Sequence, residues 1–214
     1  MIASHDPAKP KAHGSPRILD AAGAVPAGDA AEQARLRDLA WEMVEVEAKP
    51  APAWSLTWPS RAWLAARRWA VAPLAYASAD EDALCALLRR RGLRELLGTC
   101  VDPRLTDPPD VVWRFPNEED DEGVPLNNFL VAHSGWLRLA FDEARSFGLH
   151  VEEEADVYIL MGPPDLIREA TGGDPAAANA RFLEEGAAME RSLGYPPGSV
   201  TAVADRYAPF LLRA

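Results

Sequence analysis

The stretch Leu149-His150-Val151-Glu152-Glu153-Glu154-Ala155-Asp156-Val157-Tyr158-Ile159-Leu160-Met161-Gly162 carries the strongest extended-chain signal in the sequence. Val157–Met161 is a run of β-branched, aromatic and long aliphatic side chains, which suit a pleated and buried surface. Just upstream, His150, Glu152, Glu154 and Asp156 share one parity, so a regular strand would turn all four to one face. Val111-Val112-Trp113-Arg114-Phe115 is the next credible strand. Elsewhere the apolar spacing is helical. The expected fold is therefore α+β and predominantly helical: about six or seven helices, with a small sheet formed near residues 111–115 and 149–161.

The helices are signalled by caps and stops. Asp29 with Glu32 forms a capping box, and Leu36, Leu39, Ala40 and Met43 follow at helical spacing. Lys49-Pro50-Ala51-Pro52 reads as an extended linker. A helix is expected from Pro59 or Ser60 to about Pro73, and another from a Ser78/Glu81 box through Leu84, Leu87 and Leu88. Leu93, Leu96 and Leu97 suggest a short continuation beyond Gly92. A longer helix is expected from about Pro125 to Phe147, closed by Gly148. Gly162-Pro163-Pro164-Asp165 turns into a short helix, and Asp174-Pro175 opens a helix that runs to Gly194. Ser199 is placed to cap the last one. Residues 1–28, with four prolines and few large apolar groups, read as a disordered N-terminal tail. Residues 29–214 read as a single globular domain, with a subdomain break conceivable near 99–110.

Apolar residues form 48% of the chain, enough for a substantial core. No stretch approaches the length of apolar chain that spans a bilayer, and the N-terminus lacks a signal-like pattern. With Cys85 and Cys100 the only cysteines, a reduced, cytoplasmic setting is expected. The net charge of −11 is unevenly placed. Residues 1–100 hold 13 Lys/Arg against 12 Asp/Glu, whereas residues 101–214 hold 9 against 21. Such a surplus disfavours nucleic acid and steers toward a basic protein, although solubility alone would also explain it.

Each chemical candidate competes with a plainer explanation. His150 with Glu152 could contribute to a divalent-metal site, and His150, Asp156 and Asp165 are the candidates for catalysis. Same-face strand positions are about 6.5–7 Å apart, however, so the four polar groups could not all reach one ion, and a solvated face explains the alternation. Asp165 also fits the start of a helix. The run Glu118-Glu119-Asp120-Asp121-Glu122 lacks calcium-loop spacing and reads as a solvated loop or a docking surface for a basic partner. Ser134 and His133 do not form a nucleophile elbow, Cys85 falls among core leucines, and Cys100 has Arg94 and Arg104 near it in sequence. Trp54, Trp58, Trp63 and Trp69 interleave with Arg61, Arg67 and Arg68. This pattern suits core packing, a protein-interaction patch anchored on Trp54 and Trp58, or stacking of single-stranded nucleic acid.

No cofactor is expected, and the motifs resemble no family. The favoured function is a non-catalytic intracellular protein-interaction protein, such as an adaptor, inhibitor or immunity-type partner, acting through its acidic C-terminal half. The alternatives are a small metal-assisted hydrolase or transferase built on the His150/Glu152/Asp156 region, and a single-stranded nucleic-acid binder using residues 54–69.

Overall fold

A computed structural model describes residues 23–47, 56–75, 81–101, 111–117, 139–152 and 157–212, the side chains of Leu56, Glu81 and Glu152 excepted. Its frame is a seven-stranded, wholly antiparallel sheet. The strands are β1 (Val25–Pro26), β4 (Ala70–Ala75), β5 (Glu95–Thr99), β6 (Trp113–Pro116), β7 (Leu139–Phe141), β8 (Gly148–Glu152) and β9 (Val157–Gly162). Across the sheet they run β1-β6-β5-β7-β8-β9-β4. A separate hairpin pairs β2 (Val44–Glu47) with β3 (Leu56–Pro59).

Helices cover both faces. On one side lie α3 (Glu81–Arg90) and α4 (Pro164–Ala170). On the other lie α1 (Ala30–Glu42), α2 (Arg61–Arg67), α5 (Pro175–Leu193) and α6 (Ala202–Arg206). The strands alternate between the two layers. In β9, Tyr158 and Leu160 face the α3/α4 layer, whereas Val157, Ile159 and Met161 face the other. Burial on both faces is why Val157–Met161 is apolar at every position.

The expected predominantly helical fold with a small sheet is thus corrected: the sheet is the organising element. Three stretches account for the difference. Leu93, Leu96 and Leu97 have helical spacing, yet Leu96 and Leu97 are consecutive residues of β5 pointing into opposite layers. The helix expected up to Pro73 stops at Arg68, which adopts the left-handed conformation (φ 55°), and Ala70–Ala75 becomes strand β4. Alanine's helical preference is overridden there by pairing with β9, and Pro73 is tolerated because β4 ends the sheet. The C-terminal part of the helix expected at 125–147 is instead strand β7 and a turn in which the Asp142 carboxylate accepts from the Ser146 and Phe147 amides. Residues 118–138 lie outside the described chain.

Other signals held. The Asp29 carboxylate caps α1 by accepting from the Ala31 and Glu32 amides, and Asp174 caps α5, whose end is the left-handed Gly194 (φ 72°). Residues 1–22 and 102–110 lie outside the description, but 23–28 take part in the fold through β1. There the Gln33 amide of α1 acts as a surrogate strand. It donates to the carbonyls of Ala27 (2.7 Å) and Val112 (2.9 Å) and accepts from the Val112 amide (2.8 Å). Among the described residues no helix is long and apolar enough to cross a membrane.

Candidate functional site

Strand register brings separate stretches of chain to one end of the sheet. Gly98 pairs with Trp113, and Thr99 with Leu139. Leu139 pairs with His150, Glu152 with Val157, and Val157 with Ala75. The ends of β4, β5 and β8 and the starts of β6, β7 and β9 therefore lie side by side. The chain between them lies outside the described residues: 102–110 joins β5 to β6, 153–156 joins β8 to β9, 76–80 leads from β4 to α3, and 118–138 leads into β7. With Glu152, 76–80, 102–110 and 153–156 carry eight carboxylates (Asp80, Asp102, Asp107, Asp110, Glu152, Glu153, Glu154 and Asp156) against Arg104, and Arg138 directly precedes Leu139.

The carboxylates of the described body are differently placed. Glu143 pairs with Arg35, Glu42 with Arg145, and Glu45 and Glu47 with Arg206. Arg91 at the end of α3 bridges Asp165 (2.8 Å) and Glu169 (3.0 Å) of α4. The Arg91 guanidinium holds the Asp165 carboxyl below the usual carboxylate range, so this candidate base is the anionic half of an ion pair. Glu190 is buried and wrapped by backbone donors: Gly198 (2.8 Å), Val200 (2.9 Å) and Thr201 (3.0 Å). Hydrogen bonds from the Gly198 and Thr201 amides hold its carboxyl low. This structural use of Glu190 had no signal in the sequence beyond the Pro196-Pro197-Gly198 turn itself.

Of the four residues of one parity at 150–156, only His150 has a described side chain, and it does not lie on a solvated face. His150 is fully buried in the layer covered by α1 and α5, between its register neighbours Leu139 and Ile159. Strand β8 ends at Glu152, whose side chain is outside the description, as are Glu154 and Asp156. Among the described residues no group of three or more His, Cys, Asp or Glu is arranged to hold a metal ion.

Trp58 is half buried and stacks on His150, with ring centroids 6.5 Å apart and an interplanar angle of 15°. The Arg206 guanidinium lies 4.6 Å from the Trp58 ring centroid. Tyr207, beside it in sequence, donates its hydroxyl to the Pro59 carbonyl (2.9 Å), and burial pushes that hydroxyl's pKa up. These contacts seat the β2–β3 hairpin on α6. Trp63 and Trp69 meet edge to face (4.7 Å), with Arg67 over both rings at 4.8 and 5.4 Å. Trp54 and Glu118–Glu122 lie outside the described residues. Cys85 is buried among the leucines of α3, as expected, and Cys100 is half buried at the end of β5.

No protein-family model, curated protein or solved structure matches this chain.

Proposed function

We propose that the protein works by binding a partner with a basic surface, and that the partner meets the sheet end defined by Ala75, Thr99, Trp113, Leu139, Glu152 and Val157. The observation that carries this reading is the register of the strands, which gathers the departure points of three acidic stretches into one row. Ion pairing strengthens it. Many carboxylates of the described residues are matched by arginines or amides, and the proposed contact is therefore through the acidic stretches that leave this end. A field focused at one place speeds and orients encounter with a cationic surface more than the same charge spread evenly.

The opposite end of the sheet has another character. Arg67 and Arg68 precede β4 there, and Arg145 sits in the turn between β7 and β8. The acidic run Glu118–Glu122 lies outside the described residues, in the connection between β6 and β7, and serves as a comparison of similar charge. Two neutralised proteins test the reading. One carries Glu152→Gln, Glu153→Gln, Glu154→Gln and Asp156→Asn; the other carries Gln or Asn throughout 118–122. Partners retained from the source cell at low salt should include basic proteins lost from the first variant and kept by the second. Equal retention by wild type and the first variant would overturn the assignment.

A further inference from the structure

At the β4 edge of the sheet a groove of about 490 Å³ opens between α3 on one face and α5 on the other. Its origin is geometric. Beyond the last strand the two helical layers have no sheet between them, and small residues (Ala75, Ala83, Ala170, Gly172 and Ala178) leave the intervening space unfilled. The floor is apolar, made by Leu74, Leu84, Leu87, Leu160 and Phe182. Leu84, Leu87 and Leu160 belong to the α3/α4 core and Phe182 to the opposite one, so the groove joins the two layers around the sheet edge. Its size falls within the range of ordinary small-molecule sites, which combine apolar walls with few polar groups.

The rim sets the chemistry. Arg90 is engaged by Glu169 at 3.2 Å. Arg181, one turn before Glu185 on α5, is exposed and makes no ion pair with a described carboxylate. A guanidinium beside an apolar trough complements a ligand with a carboxylate head and a hydrocarbon body, because the planar donors of arginine fit a carboxylate bidentately.

We propose that this groove binds an amphipathic monocarboxylate of the medium-chain fatty-acid type, with its chain against Leu84, Leu87 and Phe182 and its carboxylate on Arg181. This site is independent of the acidic sheet end and stands or falls separately from it.

The test is calorimetric titration of the full chain with octanoate and, separately, with 1-octanol and octylamine. Octanoate should saturate at one site and bind more tightly than either analogue. Arg181→Gln, at an exposed position, should weaken octanoate by about tenfold, the effect of losing a charge-assisted hydrogen bond, and leave 1-octanol unchanged. Ala83→Trp, also at an exposed position, should fill the groove and abolish binding of both. Absence of saturable octanoate binding to wild type would overturn the proposal. So would equal octanoate affinity in Arg181→Gln, or undiminished binding in Ala83→Trp.

Discussion

Replacing Tyr207 by Phe removes one oxygen from a position with no solvent exposure. That hydroxyl donates to the Pro59 carbonyl at 2.9 Å, across the contact between the end of α6 and the β2–β3 hairpin. Losing the donor leaves a buried acceptor short of a partner and should cost about 1–2 kcal/mol. Replacing Tyr207 by Ala adds the loss of the ring, which packs in the layer with Leu64, Val71 and Val203, and should bring the total to about 3–5 kcal/mol. Equilibrium unfolding in urea, followed by tryptophan fluorescence, measures both. Trp58 lies under Arg206, the neighbour of Tyr207, so its emission should shift in the Ala variant before global unfolding. The midpoint should fall in the order wild type, Phe, Ala, with an unchanged slope. A Phe variant as stable as wild type, paired with an Ala variant that loses less than about 1 kcal/mol, would refute the claim that Tyr207 fastens the hairpin to the body.

Three further outcomes follow from the same structure. Gln33→Ala removes three hydrogen bonds that reinforce the direct Ala27 N–H to Val112 carbonyl bond, and should cost about 1–3 kcal/mol and speed amide exchange at Val112; unchanged exchange at Val112 would contradict this. The Glu190 carboxyl is held below its ordinary value by amide donors, so its stabilisation is present above the unfolded carboxyl pKa of about 4.3 and is lost as pH falls through the lower folded value. Glu190→Gln should therefore melt earlier than wild type at neutral pH, with a gap that closes in acid; a gap independent of pH would contradict this. His150→Ala opens a cavity in the α1/α5 layer and should cost about 2–4 kcal/mol, with no change in metal content by elemental analysis. Metal in wild type that is missing from the variant would contradict this and support the metal-site reading.

Much of the local structure was legible in the sequence. Capping by Asp29 and Asp174 and the Gly194 stop rest on interactions within a few residues, the strand at Val157–Met161 on an unbroken run of strand-favouring apolar side chains, and each appears as expected. What was not legible is the extent of the sheet. Strands β4, β5 and β7 are short and buried on both faces, so they lack the apolar–polar alternation that marks a half-exposed strand. Leu96-Leu97 and Ala70-Val71-Ala72 have no periodicity of their own; pairing to β6, β7 and β9 decides their conformation. The same limit governed the site. Parity placed His150 with Glu152 on one face, but could not say that this face turns inward against Trp58. The charge surplus of the C-terminal half was visible from counting, whereas the proposed gathering of acidic stretches at one sheet end rests on strand order, which no local pattern encodes.

The most direct test of that gathering needs no partner. Paramagnetic relaxation of backbone amides by a cationic nitroxide, divided by that from a neutral nitroxide of the same size, reports the electrostatic potential near each amide. The account predicts the most negative potential at Thr99, Trp113, Leu139, Glu152 and Val157, and a near-neutral or positive one at Ala70, Gly148 and Gly162 on the opposite end. Equal potentials at the two ends would contradict it.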